Sequence, residues 1–140
     1  MGTSEDQLVR IVDDYASELR NLRDGTWIPD DAIPADMDEI PDMFDQWMYF
    51  ADPMETVVIS RTSFGRPETS RVSAVEMLMA FGGPNVRITF HEDDTATVFG
   101  AWGSDHETRD VYMGMFGRDV VERFADMFDM SMSESGGYGR

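Results

Sequence analysis

The sequence predicts an α+β domain: N-terminal helices, then a mainly antiparallel four-stranded sheet with helices packed on one face. Three observations carry that prediction. Apolar residues between Leu8 and Leu22 recur at helical spacing. Residues 86–91 alternate apolar and polar side chains, as a half-buried strand does. Short turns rich in Gly and Asp separate the strand-like runs of the second half.

Ser4 opens the first helix, with Glu5 and Asp6 in its first turn and Gln7 at the capping-box position. Leu8, Ile11, Val12, Tyr15, Ala16, Leu19 and Leu22 then form one stripe. Asp13, Asp14 and Glu18 lie on the other face, interspersed with Arg10, Arg20 and Arg23. Gly25 stands where a C-terminal cap belongs, so the helix is expected over Glu5–Asp24. Residues 26–41 read as irregular, punctuated by Pro29, Pro34 and Pro41. Pro41 suits the first position of a second helix, which turns Met43, Phe44, Trp47, Met48 and Phe50 inward and ends before Pro53.

Thr56–Ser60 has the composition of a strand, and Arg61–Arg71 that of a loop carrying Gly65 and Pro67. Ser73-x-x-Glu76 matches a capping box ahead of Met77, Leu78 and Phe81, which predicts a short helix stopping at Gly82-Gly83-Pro84. Val86, Ile88 and Phe90 form the next strand, Thr95–Trp102 its hairpin partner and Thr108–Met113 a third strand. A last helix near Gly117 aligns Val120, Val121, Phe124, Met127 and Phe128. The expected order is α-α-β-α-β-β-β-α. Residues 1–130 form one domain, with an acidic helical part over 1–53 and a sheet-containing part over 54–130. The Ser/Gly-rich segment 131–140 is expected to be a disordered tail.

The 140-residue chain is 41% hydrophobic, enough for one core. Its formal net charge is −17, with 28 acids against 11 bases, all of them Arg. Such a surface repels nucleic acids and anionic membranes and attracts basic partners, the attraction weakening with salt. Cysteine is absent, which excludes disulfides, thiol chemistry and Cys-type zinc sites. With no basic-then-apolar segment at Met1–Arg10, no signal peptide is expected, and the expected compartment is the cytoplasm.

Catalytic motifs fail one by one. His91 precedes Glu92-Asp93-Asp94, and His106 sits between Asp105 and Glu107. A metal-dependent hydrolase built on these histidines and turn carboxylates is one alternative, but the spacing matches no helical zinc motif. Asp36-x-Asp38-Glu39 begins like a calcium loop, and Ile40 and Pro41 break the match. Gly82-Gly83-Pro84 lacks the context of a phosphate loop, and no Ser lies in a nucleophile elbow. The 12 Met mostly continue apolar stripes, as core residues do. No catalytic residue, metal or cofactor is expected.

What remains is the distribution of charge. Residues 1–55 hold 15 acids and 3 bases, whereas residues 56–140 hold 13 acids and 8 bases. No base lies between Arg23 and Arg61. Solubility or high-salt adaptation, with a generic interaction role, explains acidity and the lack of Lys, but such proteins spread their acids more evenly. A nucleic-acid mimic explains the skew, because closely spaced carboxylates imitate a phosphate array.

In size, acidity and lack of a catalytic motif the chain resembles the small inhibitors of phages and plasmids, the anti-CRISPR and anti-restriction proteins. The resemblance is one of overall profile and covers no aligned motif. It implies a non-enzymatic decoy that binds the basic surface of a nuclease or CRISPR/restriction effector, without binding nucleic acid or membrane itself. The residues expected at that contact come from the acidic segment: Asp24, Asp30, Asp31, Asp36, Asp38, Glu39, Asp42 and Asp45, with Trp27 as apolar anchor, a staple of the loop to the sheet being the other use open to Trp27.

Overall fold

Five antiparallel strands lie in sequence order, β1-β2-β3-β4-β5, so each strand pairs with its neighbours in the chain. The computed structural model describes residues 4–29, 42–63 and 66–138. Its elements are α1 (Ser4–Asp24), α2 (Met43–Ala51), β1 (Glu55–Ser63), β2 (Arg66–Ala80), β3 (Asn85–His91), β4 (Thr95–Trp102), β5 (Asp105–Tyr112) and α3 (Met115–Tyr138). The α+β class is as the sequence predicts, with a fifth strand in place of the short helix.

That helix is the main correction. Val75, Met77 and Met79 are buried while Glu76 and Leu78 are half-exposed, an alternation of period two. Val75 faces Val58 on β1 and Phe90 on β3, so β2 is bonded along both edges. Two-sided pairing outweighs a capping-box match that is favourable only locally. The loop expected over Arg61–Arg71 is corrected too. β1 and β2 extend into it from both sides, pairing Arg61 with Arg71 and Ser63 with Arg66, with register shifts after Ile59 and Arg61. β5 starts at Asp105, three residues before the expected strand, because Trp102 and Asp105 close the β4–β5 hairpin as a pair. α3 runs to Tyr138, into the segment whose Ser/Gly content predicts disorder.

The core lies on one face of the sheet. Val86, Ile88 and Phe90 of β3 and Ala96 and Val98 of β4 are buried there, with Val75 and Met77 of β2. Helix α1 packs over β4 and β5, and α3 over β2 and β3. Leu8, Val12, Ala16, Leu19 and Leu22 of α1 are buried in the same cluster as Val120 and Val121 of α3. Each Leu or Val removed from water contributes about 1.5–3 kcal/mol, so this stripe holds α1 to the sheet. Short α2 docks through Phe44, whose ring meets Phe90 edge-on at 6.1 Å and Phe116 at 6.0 Å between centroids. On the opposite face Val57, Ile59, Phe99 and Tyr112 are exposed.

α1 approaches β4 at Gly100. A Cβ there would lie 2.7 Å from Val12 Cγ2 and 2.9 Å from Leu8 Cδ1, closer than real contacts allow. The missing side chain lets the helix settle on the sheet.

Candidate functional site

The acidic part of the chain is built on α1, α2 and the ends that join them. Gly25 (φ 73°) turns the chain after α1, and the Thr26 and Trp27 amides both donate to the Asn21 carbonyl. This folds Trp27 back beside α1. Its indole is 8% exposed and its ring centroid lies 6.1 Å from that of Phe50 on α2. The expected apolar anchor is therefore part of the core, not a free surface residue.

Asp24 ends α1 and is exposed. Arg23 Nε and Nη2 donate to its two oxygens at 2.8 and 3.1 Å, and the Arg23 hydrogen bond holds its carboxyl below the usual range. Arg23 also donates to the Tyr112 carbonyl at 2.8 Å, tying this end of α1 to β5. Asp42 is the N-cap of α2, accepting from the Phe44 amide at 2.8 Å. It also pairs with Arg123 of α3. Asp45 accepts from the same guanidinium at 2.7 Å, and that guanidinium lies 5.3 Å from the Phe44 ring centroid. Burial opposes the Arg123 charge, but the hydrogen bonds and charges of Asp42 and Asp45 overcome it and raise its pKa. The three acids Asp24, Asp42 and Asp45 thus each have an Arg within the chain. Asp30, Asp31, Asp36, Asp38 and Glu39 lie outside the described residues.

The structure adds residues that charge counting passes over. Ile11, Asp14, Tyr15 and Glu18 form a second stripe on α1, beside the core stripe. With Trp27, Ile28, Phe50 and Ala51 they line a cavity of about 370 Å³ between α1 and the end of α2. Burial, and secondarily the Glu18 charge, pushes the Tyr15 hydroxyl above its ordinary pKa. The i, i+3, i+4, i+7 spacing of Ile11, Asp14, Tyr15 and Glu18 is the sequence signal for this wall. What it lacks is any sign that Trp27 and Phe50 close the other side.

The two histidines do not converge. Asn85 of β3 is level with Ala101, and Ala101 with His106. His91 lies at the far end of β3, about 20 Å along the strand at 3.3 Å per residue. His91 Nε2 lies 2.9 Å from Thr97 Oγ1, which donates to Asp110 at 2.7 Å. Thr97 has one proton to give, so it accepts from His91. Ser73, on the same cavity wall as His91, donates to the Ile59 carbonyl instead. The turn acids have structural work: Asp93 accepts from Thr95 at 2.6 Å, and Asp94 takes both Arg118 donors at 2.9 and 2.7 Å. Among the described residues no three metal-ligating side chains cluster, and no helix is long and apolar enough to cross a membrane.

No family model, curated protein or solved structure matches this chain.

Proposed function

We propose that the chain is a non-enzymatic acidic inhibitor that occupies the basic nucleic-acid-binding surface of a nuclease or CRISPR/restriction effector, as a DNA or RNA mimic. One observation supports the reading above all: 15 of the 28 acids, against 3 of the 11 bases, fall in the first 55 residues. Duplex DNA carries about one charge per 1.7 Å of axis, and a mimic needs carboxylates at comparable density. Adjacent Asp13 and Asp14, with Glu18 one turn on, place three carboxylates on α1, of which Asp13 also meets Arg109 at 2.9 Å. The Pro-punctuated segment 30–41 supplies five more acids without a base. Decoy binding needs neither nucleophile nor cofactor, only charge, shape and a partner of opposite sign.

The test changes Asp30, Asp31, Asp36 and Asp38 together to Arg. The expected result is loss of capture of a basic, nucleic-acid-binding protein from low-salt lysate, with thermal unfolding preserved. Added DNA or RNA should compete with capture by the unaltered protein. Capture that survives the reversal, or that nucleic acid does not compete, rules the mimic out. Absence of any partner, together with steeper stabilisation in molar salt, points to high-salt adaptation instead.

A further inference from the structure

We infer that the outer edge of β1 pairs with the same edge of a second copy of this chain, antiparallel and centred on Val58, so that two sheets join into one. The inference goes beyond the acidic-inhibitor reading and does not depend on it.

β1 ends the sheet, so one of its edges has no strand beside it among the described residues. Thr56, Val57, Ile59 and Ser60 are exposed, and Val58 is half-buried. Such an edge is a template for another strand unless charge, Pro or a bulge blunts it. Nothing of the kind lies between Thr56 and Ser60, a run without charge or Pro and rich in β-branched residues. The extra residue at the first register shift is Ser73, on β2, so β1 itself stays regular from Glu55 to Arg61. The other edge strand differs. β5 carries Asp105, Glu107, Arg109 and Asp110, and Asp13 of α1 engages its Arg109.

Ser73 of β2 donates its hydroxyl to the Ile59 carbonyl, so Ile59 directs its peptide groups toward β2. Strand residues alternate in this respect, so Thr56, Val58 and Ser60 direct theirs to the open edge. Paired about Val58, Val58 meets its own counterpart and Thr56 meets Ser60, each pair exchanging backbone hydrogen bonds. Glu55, Val57, Ile59 and Arg61 share the other face of β1. The same register sets Val57 opposite Ile59 and Glu55 opposite Arg61, each twice over. Val57 and Ile59 then occupy the non-bonded positions, where opposed side chains come closest. Moving the centre to Val57 sets Glu55 opposite Ile59, and moving it to Ile59 sets Arg61 opposite Val57. The register about Val58 matches apolar with apolar and acid with base. That complementarity of the edge with itself names a second copy as its occupant.

A net charge of −17 opposes self-association, but the charge is uneven. Residues 55–90 hold 3 acids and 4 bases, which leaves 25 acids and 7 bases elsewhere. β1 therefore belongs to the part of the chain where two copies repel least.

The test measures self-association of the full chain by sedimentation velocity over a concentration series, in about 0.15 M and about 1 M sodium chloride. A monomer–dimer equilibrium is expected, with nothing larger, because a two-fold pair uses up the edge. At about 0.15 M, Glu55→Arg and Arg61→Glu should each weaken the dimer about tenfold or more, although the first lowers the net charge. Combining the two should restore the parent dimer at unchanged net charge. The two positions stand about 20 Å apart along one strand, so such a rescue reports contact between copies. Thr56→Pro removes an outward N–H and should give a folded monomer, since a free strand edge tolerates Pro. A chain that is monomeric in both salts, assemblies larger than a dimer, a dimer indifferent to the single reversals, or no rescue in the combined variant overturns the pairing. A Thr56→Pro dimer as tight as the parent overturns it independently, and the charge variants decide alone where Pro costs the fold.

Discussion

At Gly100 a methyl group has nowhere to go. Its neighbours, Val12 and Leu8, are themselves fully buried, so neither can swing aside. Gly100→Ala should lower unfolding stability by about 1–3 kcal/mol, as overpacking does, read as a fall in the urea midpoint at constant slope. Asp42 combines a helix cap with an ion pair, and two substitutions separate them. Asp42→Asn keeps the cap and loses the charge; Asp42→Ala loses both. The alanine variant should be the weaker of the two by about 1 kcal/mol, the usual value of a cap, while the partly exposed Arg123 pair adds little. Tyr15 gives a pH dependence of known sign. Its folded pKa is raised, so its contribution is complete below the unfolded value of about 10 and is lost as pH climbs through the folded one. Stability should therefore fall in the alkaline range, and Tyr15→Phe should flatten that part of the profile measured by chemical denaturation.

The elements differ in how clearly the sequence shows them. Helix α1 and strands β3 and β4 are legible because each carries one unambiguous period, such as Val86-x-Ile88-x-Phe90. β2 is not, because Val75 to Phe81 is nearly all apolar, and a continuous apolar run fits either period. Only its position between β1 and β3 decides, and position is not a local property. Glu76 is the residue on which to test this. As part of a central strand it pairs with Val57 and Thr89. Glu76→Pro should abolish folding, since Pro cannot donate to the ladder, whereas Glu76→Thr should leave the thermal midpoint nearly unchanged. In the expected short helix, Pro in the first turn would be tolerated and Thr would not help. The candidate site divides likewise. Its acids are visible from composition alone, but the cavity wall made by Trp27 and Phe50 exists only once Gly25 and α2 bring those rings together.

Across the whole molecule, net charge of −17 makes the folded state repel itself. Salt screens that repulsion over about 8 Å at 0.15 M and about 3 Å at 1 M. Added sodium chloride should therefore raise the thermal midpoint of the free protein, as calorimetry would show. The same salt should weaken capture of a basic partner, since there the screened interaction is attractive. Opposite responses of stability and binding in one series are the signature expected of charge that serves a partner. A parallel rise in both would mean that the acids serve the fold alone.

The docking of α1 on the last strands sets an order of events during synthesis. Asp13 meets Arg109 across 96 residues of chain. At about 5–20 residues per second, α1 is made roughly 5–20 s before the strand it pairs with. The strands, paired in sequence order, can assemble one hairpin at a time, but the first helix must wait for the last strand. Through that interval its apolar stripe has no sheet to cover it. The acids on its other face give every such chain the same sign of charge there, and like charge opposes association.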